Sequence, residues 1–168
     1  MNGRRVSWEE LHQKVKDLAY KVVDSFKPAS ITIVGVARGG WIVAALLSYE
    51  LSHMFAIDAK VRSIGIKRYG DEGKPHKLPT GADAELYEIP TVESASPACL
   101  TLVVDEISAT GVTLDKAVKV LGFAGATWVQ SAVLYTTDDD LCDLFMEKID
   151  SETWLYFPWD AVKEDEHC

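Results

Sequence analysis

The sequence predicts an α/β domain with a mainly parallel central sheet flanked by helices. Two observations carry this prediction: short apolar, β-branched runs alternate with segments of helical periodicity, and glycines or carboxylates directly follow two of the runs. The chain has 168 residues, so we expect a single domain over residues 1–168. Hydrophobic residues make up 48% and charged residues 26%, which excludes disordered and disulfide-scaffold proteins.

An amphipathic helix is predicted over residues 8–26. Ser7 and Glu10 form the pattern of a capping box, and Pro28 closes the segment. Apolar residues recur at helical spacing and define the face that we expect in the core: Trp8, Leu11, Val15, Leu18 and Val22.

The first half of the chain then alternates strand, helix and strand. Residues 31–36 are β-branched and end at glycines, which is typical of a buried strand that enters a tight loop. Residues 41–54 are apolar enough for a buried helix, and residues 58–67 suit another strand. From residue 68 to 97 no period is visible, so we expect a mobile loop or an irregular hairpin, with a solvated insertion as the alternative.

The second half continues the alternation. In order, we expect a strand over 100–104, a polar turn over 108–113, a helix ending near Gly122 or Gly125, a strand over 127–135, an acidic helical stretch over 139–149 and a strand over 153–157.

The net charge of −9 is unevenly placed. Residues 1–137 carry fifteen acidic and fifteen basic groups, whereas residues 138–168 carry eleven acidic and two basic ones. Such an acidic end disfavours a nucleic-acid partner, because phosphate contacts need clustered Lys and Arg. No apolar run reaches the roughly 18 to 20 residues of a membrane span, and residues 1–10 lack the apolar core of a signal peptide. We therefore expect no membrane partner and a cytoplasmic protein.

The strongest chemical signal is the segment 102–114, LVVDEISATGVTL. Asp105 and Glu106 stand at the carboxyl end of a predicted buried strand, where ligands bind in open α/β sheets. The hydroxyls and the glycine that follow can cradle a phosphate at a helix N-terminus: Ser108, Thr110, Gly111 and Thr113. The alternative is an ordinary polar turn between a strand and a helix.

This segment resembles the signature of the type I phosphoribosyltransferases, in which two acidic residues precede a Thr-Gly loop that holds the 5-phosphate of phosphoribosyl pyrophosphate. Residues 33–41, IVGVARGGW, are similar to the family's pyrophosphate-binding loop. Residues 6–11, VSWEEL, are similar to the start of its xanthine-guanine branch. Residues 153–160, TWLYFPWD, are similar to that branch's base-binding hood, expected over about 151–168.

The resemblance implies the type I phosphoribosyltransferase fold and magnesium-dependent transfer of a phosphoribosyl group to a nucleobase, with a purine favoured. Asp105, Glu106 and Arg38 would be catalytic, and the two acids would bind the ribose hydroxyls and Mg²⁺. The implied 5-phosphate loop comprises Ser108, Ala109, Thr110, Gly111, Val112 and Thr113. The implied pyrophosphate site comprises Ala37, Arg38, Gly39, Lys67 and Tyr69, and the implied base site comprises Trp154, Leu155 and Asp160.

Electrostatics suits these roles, although several of the residues have plainer alternatives. Displacement at an anomeric carbon develops positive charge on the sugar, so a carboxylate beneath it stabilises the transition state more than the ground state. Arg38 and Lys67 could instead be solvated surface cations, and Trp154 and Trp159 could be core anchors.

Two positions depart from the family members that act on 6-oxopurines. Ala109 stands where those members carry an Asp that handles the proton on N7, and Thr137, or Thr136, stands where they carry a Lys that donates to the 6-oxo group. Adenine-type members have Ala-Thr-Gly at this point, so we expect adenine to be the preferred base. If guanine or xanthine is used instead, Glu85 or Glu88 are the expected substitutes.

Two other classes of function compete with catalysis. A non-catalytic sensor of phosphoribosyl pyrophosphate would explain the two departures and could use the acidic C-terminal segment as a partner surface. A plain structural domain would leave the ordered motifs as coincidence. For the enzyme, the partners are phosphoribosyl pyrophosphate and a nucleobase, and we expect a homodimer or homotetramer.

Overall fold

The computed structural model describes residues 2–67, 85–91 and 99–160, and it confirms the predicted α/β class. The strands are β1 (Asn2–Arg5), β2 (Ser30–Val36), β3 (Asp58–Lys67), β4 (Glu85–Glu88), β5 (Cys99–Ser108), β6 (Val129–Thr136), β7 (Leu144–Lys148) and β8 (Thr153–Tyr156). The helices are α1 (Trp8–Phe26), α2 (Gly39–Phe55) and α3 (Val112–Phe123), and a 3₁₀ turn covers Asp139–Leu141. None of the helices within the described ranges is long and apolar enough to cross a membrane.

The central sheet has the order β4-β3-β2-β5-β6-β7. Every neighbouring pair is parallel except β3 and β4. Strands β2 and β5 lie side by side, with Gly35 opposite Val104. Because the carboxyl ends of parallel strands share one edge, the loop after β2 and the acidic end of β5 meet there.

The core has two layers, one on each face of the sheet. Helices α1 and α2 cover one face, and α3 covers the other. The predicted buried face of α1 is confirmed for four fully buried residues: Leu11, Val15, Leu18 and Val22. Trp8 is the exception, since it is 55% exposed and makes an edge-to-face contact with the ring of Trp159.

Helix α1 begins and ends where the sequence predicts. Ser7 is its N-cap and accepts a hydrogen bond from the Glu10 backbone N–H at 3.0 Å. The other half of the predicted capping box differs, because the Glu10 carboxylate binds Arg4 and Tyr135 instead of reaching back to the cap. The Glu10 side chain, which the local pattern assigned to the helix end, therefore forms tertiary contacts instead.

The predicted acidic helix over residues 139–149 is wrong, since this segment holds the 3₁₀ turn and strand β7. The Asp143 carboxylate accepts hydrogen bonds from the backbone N–H and the hydroxyl of Ser131 in β6, both at 2.7 Å. These bonds hold the segment at the edge of the sheet, where β7 pairs with β6. The apolar spacing of this segment also fits a helix, so its pairing with β6 decides that it forms a strand.

Two short strands were not predicted. Strand β4 lies inside the expected loop of residues 68–97 and pairs antiparallel with β3, which supports the hairpin alternative there; the rest of that loop lies outside the described residues, apart from 89–91. Strand β1 is polar and pairs in parallel with β8, the strand of the predicted hood, so these two strands form a small second sheet.

Candidate active site

The glycine loop after β2 packs directly on the carboxylate pair of β5. A Cβ atom built on Gly39 would lie 2.3 Å from Cδ and Oε1 of Glu106. A Cβ atom on Gly40 would lie 2.5 Å from the Val104 carbonyl and 2.9 Å from Oδ1 of Asp105. Only glycines allow this approach, so the structure brings the two predicted motifs into one site. The sequence singled out Gly39 as functional and missed Gly40, although the glycine pair was visible.

Asp105 and Glu106 lie inside strand β5, which is longer than the predicted strand over 100–104. Oδ1 of Asp105 accepts a hydrogen bond from the Glu106 backbone N–H at 2.9 Å. Burial raises the pKa of Asp105 well above its ordinary value, and the neighbouring Glu106 charge raises it further. Two adjacent carboxylates with little access to water are poorly stabilised. A cation at this place, whether a metal ion or developing positive charge on a sugar, would therefore be attracted strongly.

Glu106 and Ser108 each hold a buried polar atom that lacks a partner within the described ranges. These atoms are Oε2 of Glu106 and the hydroxyl oxygen of Ser108, which is only 4% exposed as a residue. Unpaired buried polar atoms are rare in native proteins because each loses its hydrogen bonds to water. Both residues line one cavity of about 90 Å³, so a polar ligand in that cavity would satisfy them.

The remaining walls of the cavity come from the loop between β5 and α3. Gly111 is the N-cap of α3 and has a φ of 71°, in the left-handed region that favours glycine. The first hydrogen bond of α3 runs from the Asp115 N–H to the Gly111 carbonyl, which leaves the N–H groups of the preceding turn free of helical partners. The cavity is lined by Asp105, Glu106, Ile107, Ser108, Ala109, Thr110, Gly111, Thr113 and Leu114. The residues of the predicted phosphate loop, apart from Val112, therefore line one cavity, and their binding of a phosphate stays a prediction.

Two threonines at the end of β6 hold this loop. The Thr137 hydroxyl donates to the Ala109 carbonyl at 2.9 Å, and the Thr137 N–H donates to the Ser108 carbonyl at 3.1 Å. The fully buried Thr136 hydroxyl donates to the Asp138 carbonyl at 2.7 Å and lies 3.3 Å from the Ser108 carbonyl. The position at which the resemblance expects a base-reading Lys therefore carries a hydroxyl that binds the loop backbone.

The predicted pyrophosphate residues are only partly described. Arg38 is exposed at the N-cap of α2, immediately before Gly39, and follows a cis peptide bond with Ala37. The Ala37 N–H donates to the Ile64 carbonyl of β3 at 2.9 Å, which ties this loop to the neighbouring strand. Lys67 is the last residue of β3, and Tyr69 lies outside the described residues.

The residues present suit a magnesium ion. Mg²⁺ prefers oxygen ligands and is usually bound by one or two carboxylates together with water and substrate phosphates. Asp105 and Glu106 offer that donor set, and the buried Oε2 of Glu106 has capacity to spare. Within the described part of the chain, no group of three or more His, Cys, Asp or Glu is arranged to hold a metal ion.

The two tryptophans of the predicted hood, Trp154 and Trp159, have different surroundings. Trp159 stacks on Phe157 at 5.1 Å and packs against the main core, as the core-anchor alternative predicts. Trp154 is half-buried, and no ring contact to it occurs among the described side chains. The neighbouring Leu155 points into the core at 6% exposure, so strand alternation turns Trp154 to the opposite face. The predicted stacking of Trp154 on the base stays a prediction.

Asp160 has a local role in the structure. Its Oδ2 accepts a hydrogen bond from the Phe157 N–H at 2.8 Å, and its own N–H donates to the Phe157 carbonyl at 2.9 Å. The carboxylate thus closes the turn that places Trp159, while the residue stays exposed. Its predicted place at the edge of the base stays a prediction.

Comparisons with known proteins agree with the motifs. The model of the phosphoribosyl transferase domain family matches residues 7–163. A xanthine-guanine phosphoribosyltransferase of Nitratidesulfovibrio vulgaris is 28% identical over 159 residues, which cover 93% of this chain and 83% of that protein. The enzyme of the same name from Cereibacter sphaeroides is 26% identical over 164 residues, which cover 95% and 88%.

Among solved structures, a purine phosphoribosyltransferase from Pyrococcus horikoshii has a TM-score of 0.76 and 25% identity, and the match covers 99% of this chain and all of that one. The predicted resemblance and the predicted class of enzyme are therefore confirmed. Because the family match runs through every segment that builds the site, the chain belongs to the phosphoribosyl transferase domain family.

Proposed function

We propose that the protein transfers the phosphoribosyl group of phosphoribosyl pyrophosphate to a purine base, giving a nucleoside monophosphate and pyrophosphate, as in purine salvage. One observation supports the proposal: a half-buried carboxylate pair lies between a glycine loop and the N-terminus of helix α3. A sugar with phosphates on both sides needs this order of groups.

The two ends of the substrate find different partners. The Ser108 hydroxyl and the N–H groups at the start of α3 bind the 5-phosphate, which satisfies a buried hydroxyl that has no partner among the described residues. Arg38 and the Gly39 N–H bind the pyrophosphate on the other side of the carboxylates, whereas the Ala37 N–H is already taken by the Ile64 carbonyl. The C1–oxygen bond breaks with its electron pair leaving on pyrophosphate. A ring nitrogen of the base forms the new bond to C1 and gives up its proton to the departing pyrophosphate or to water.

Asp105 and Glu106 act on the charge that appears between these events. The sugar becomes cationic as the bond breaks, and two carboxylates in a water-poor site stabilise that charge more than they stabilise the neutral ground state. Mg²⁺, when bound by the same pair, would neutralise charge on the departing pyrophosphate. Gly39 and Gly40 let the leaving-group loop approach this pair closely.

Base choice rests on residues that depart from the relatives. Those relatives are named for xanthine and guanine, whereas this chain has Ala109 and a loop-binding Thr137 where 6-oxopurine enzymes carry an Asp and a Lys. We propose adenine as the preferred base. Glu88, the predicted substitute, is exposed on β4, where its carboxylate accepts a hydrogen bond from Ser63 at 3.3 Å; the Glu85 side chain lies outside the described part of the structure.

We also propose a homodimer or homotetramer in the cytoplasm. The exposed side of α2 presents Trp41 and Tyr49, which are 51% and 72% exposed, and apolar exposure on this scale favours self-association. The cytoplasmic location follows from the substrate, since a phosphorylated sugar does not cross membranes unaided.

The test is a pyrophosphate-release assay with phosphoribosyl pyrophosphate, Mg²⁺ and each of adenine, guanine, hypoxanthine, xanthine and uracil. We expect turnover with a purine and adenine as the best substrate. Asp105→Asn is the matched inactive control, since it keeps the shape of the side chain and removes its charge. Turnover with none of the bases would contradict the proposal and favour a sensor of phosphoribosyl pyrophosphate.

A further inference from the structure

A half-buried cluster of charges, which the proposed chemistry does not use, surrounds the ring of Tyr135. We call it the Arg4 cluster. Arg4 in β1 binds the carboxylates of Glu10 in α1 and Glu147 in β7. Lys14 binds Glu147 at 2.6 Å, and the Tyr135 hydroxyl donates to Glu10 at 2.8 Å. The cluster thus joins two elements near the N-terminus, β1 and α1, to two elements of the second half of the chain, β6 and β7.

The geometry of the cluster is closed and specific. Arg4 and Lys14 lie 5.7 and 5.0 Å from the centre of the Tyr135 ring, within the range of cation–π contacts. Two cations face two carboxylates, so the cluster has no net charge. The neighbouring cations hold the pKa of Glu147 below its ordinary value, with the Arg4 hydrogen bond as the main cause. Lys could not replace Arg4 fully, because only a guanidinium binds two separate carboxylates with a fixed fork.

The cluster is connected to the hood through β1. Strand β8 has β1 as its only partner strand among the described residues, with Arg4 opposite Leu155 and Gly3 opposite Trp154. A two-stranded sheet is marginal by itself, so it depends on side-chain anchors. The side chain of Arg4 is one such anchor and joins β1 to β7 of the main sheet, beside the core packing of Leu155 and Phe157.

The cluster is also connected to the phosphate loop. Tyr135 immediately precedes the two residues whose hydroxyls bind the loop carbonyls, Thr136 and Thr137. On its other side, the Tyr135 ring packs edge-on against Phe157 of the hood at 5.9 Å. Tyr135 is therefore next to the end of β6, which holds the loop, and its ring contacts the segment that follows Trp154.

We propose that Arg4 is a positioning residue for the nucleobase: it fixes the hood relative to the phosphate loop and so sets the place of the Trp154 ring. The inference rests on the proposed function, because it assumes that Trp154 binds the base. It assigns a role in substrate binding to the N-terminal strand, which contributes no side chain to the site itself.

The test compares Arg4→Gln with Arg5→Gln in the full-length protein. Arg5 is the next residue of the same strand, it is exposed, and none of the described side chains forms an ion pair with it, so it controls for loss of one arginine from β1. We expect Arg4→Gln to raise the KM for the purine about tenfold, equivalent to about 1.4 kcal/mol of binding. The KM for phosphoribosyl pyrophosphate and kcat should change less than about twofold. Arg4→Lys should recover part of the loss.

Amide hydrogen exchange supplies a second readout that does not depend on activity. In Arg4→Gln, the amides of β1 and β8 should exchange faster, while those of β2 and β5 keep the wild-type rates. An active wild type whose Arg4→Gln variant keeps both its purine KM and its hood exchange would overturn this inference alone. Faster hood exchange with an unchanged purine KM would also overturn it, since Arg4 would then be merely structural. A wild type without turnover on any base would overturn the proposed function itself, and the positioning role with it.

Discussion

The two halves of the site are built by different means. The sugar-phosphate half consists of backbone groups and carboxylates packed on glycines, as with Glu106 against Gly39. The base half consists of a ring on a two-stranded sheet and of hydroxyls that bind the protein's own backbone, as with Thr137 and Ala109. The two departures from the family pattern, at Ala109 and Thr137, both concern the predicted recognition of the base. Activation of the sugar can thus be retained while recognition of the base changes.

Removing one carboxylate charge should give the largest effect in the sugar-phosphate half. Asp105→Asn should lower kcat by about a hundredfold or more, the scale of losing one preorganised electrostatic group. The same change should raise the melting temperature of the metal-free protein at neutral pH. It replaces Asp105, a carboxyl group whose pKa is raised by burial, with a neutral amide. An acid with a raised folded-state pKa destabilises the fold as pH rises from its ordinary pKa to the raised value, so the gain should vanish near pH 4. Steady-state kinetics and thermal melts at pH 4, 6 and 8 check both points. An unchanged kcat would show that the pair is structural.

A methyl group at the junction of the two loops should have the next largest effect. Gly39→Ala should lower kcat/KM for phosphoribosyl pyrophosphate by about a hundredfold, because a Cβ would displace the Glu106 carboxylate by an ångström or more. Gly122→Ala in α3 is the matched control. Its Cβ would meet nothing within 4 Å, so it should keep full activity and gain about 0.4–1 kcal/mol of stability. Equal activity of the two variants would contradict the close approach.

Removing the proposed base platform tests the other half. Trp154→Ala should raise the purine KM about ten- to a hundredfold, from roughly 1–3 kcal/mol per stacked base, with little change in the KM for phosphoribosyl pyrophosphate. Trp159→Ala should instead lower the melting temperature, because it removes the ring stacked on Phe157. If Trp154→Ala lowered the melting temperature and left the kinetics intact, Trp154 would be a core anchor as well.

Restoring the family's base-reading groups should give the smallest change. Ala109→Asp with Thr137→Lys should raise kcat/KM for hypoxanthine or guanine relative to adenine by about tenfold or more, since a charged donor is worth roughly 1.5–3 kcal/mol. The Lys also removes the Thr137 hydrogen bond to the loop, which costs about 1 kcal/mol and limits the gain. The two changes should couple, because both groups would touch one ring. A wild type already efficient with guanine would contradict the expected base preference.

Local signals predicted much of the fold, and the residues that they assign to the sugar-phosphate site stay a prediction. Ser7 caps α1 where expected, and the run that ends in Asp105 and Glu106 forms a central strand. The predicted secondary structure was wrong where pairing with another strand decides whether a segment is a helix or a strand. Strand β7 has an apolar spacing that suits a helix, and it becomes a strand because β6 and the Asp143 contacts hold it at the edge.

By itself the sequence determined the family, the acidic strand end, the glycine loop and the departures at Ala109 and Thr137, because these are short motifs whose chemistry depends on residue type and order. Only the tertiary structure decided that Glu106 rests on Gly39 and that the Thr137 hydroxyl donates to the Ala109 carbonyl of the loop. It also decided that Arg4 ties the hood to the sheet. These contacts join segments far apart in the chain, and no local pattern records them, since each forms only when strand order brings its two ends together.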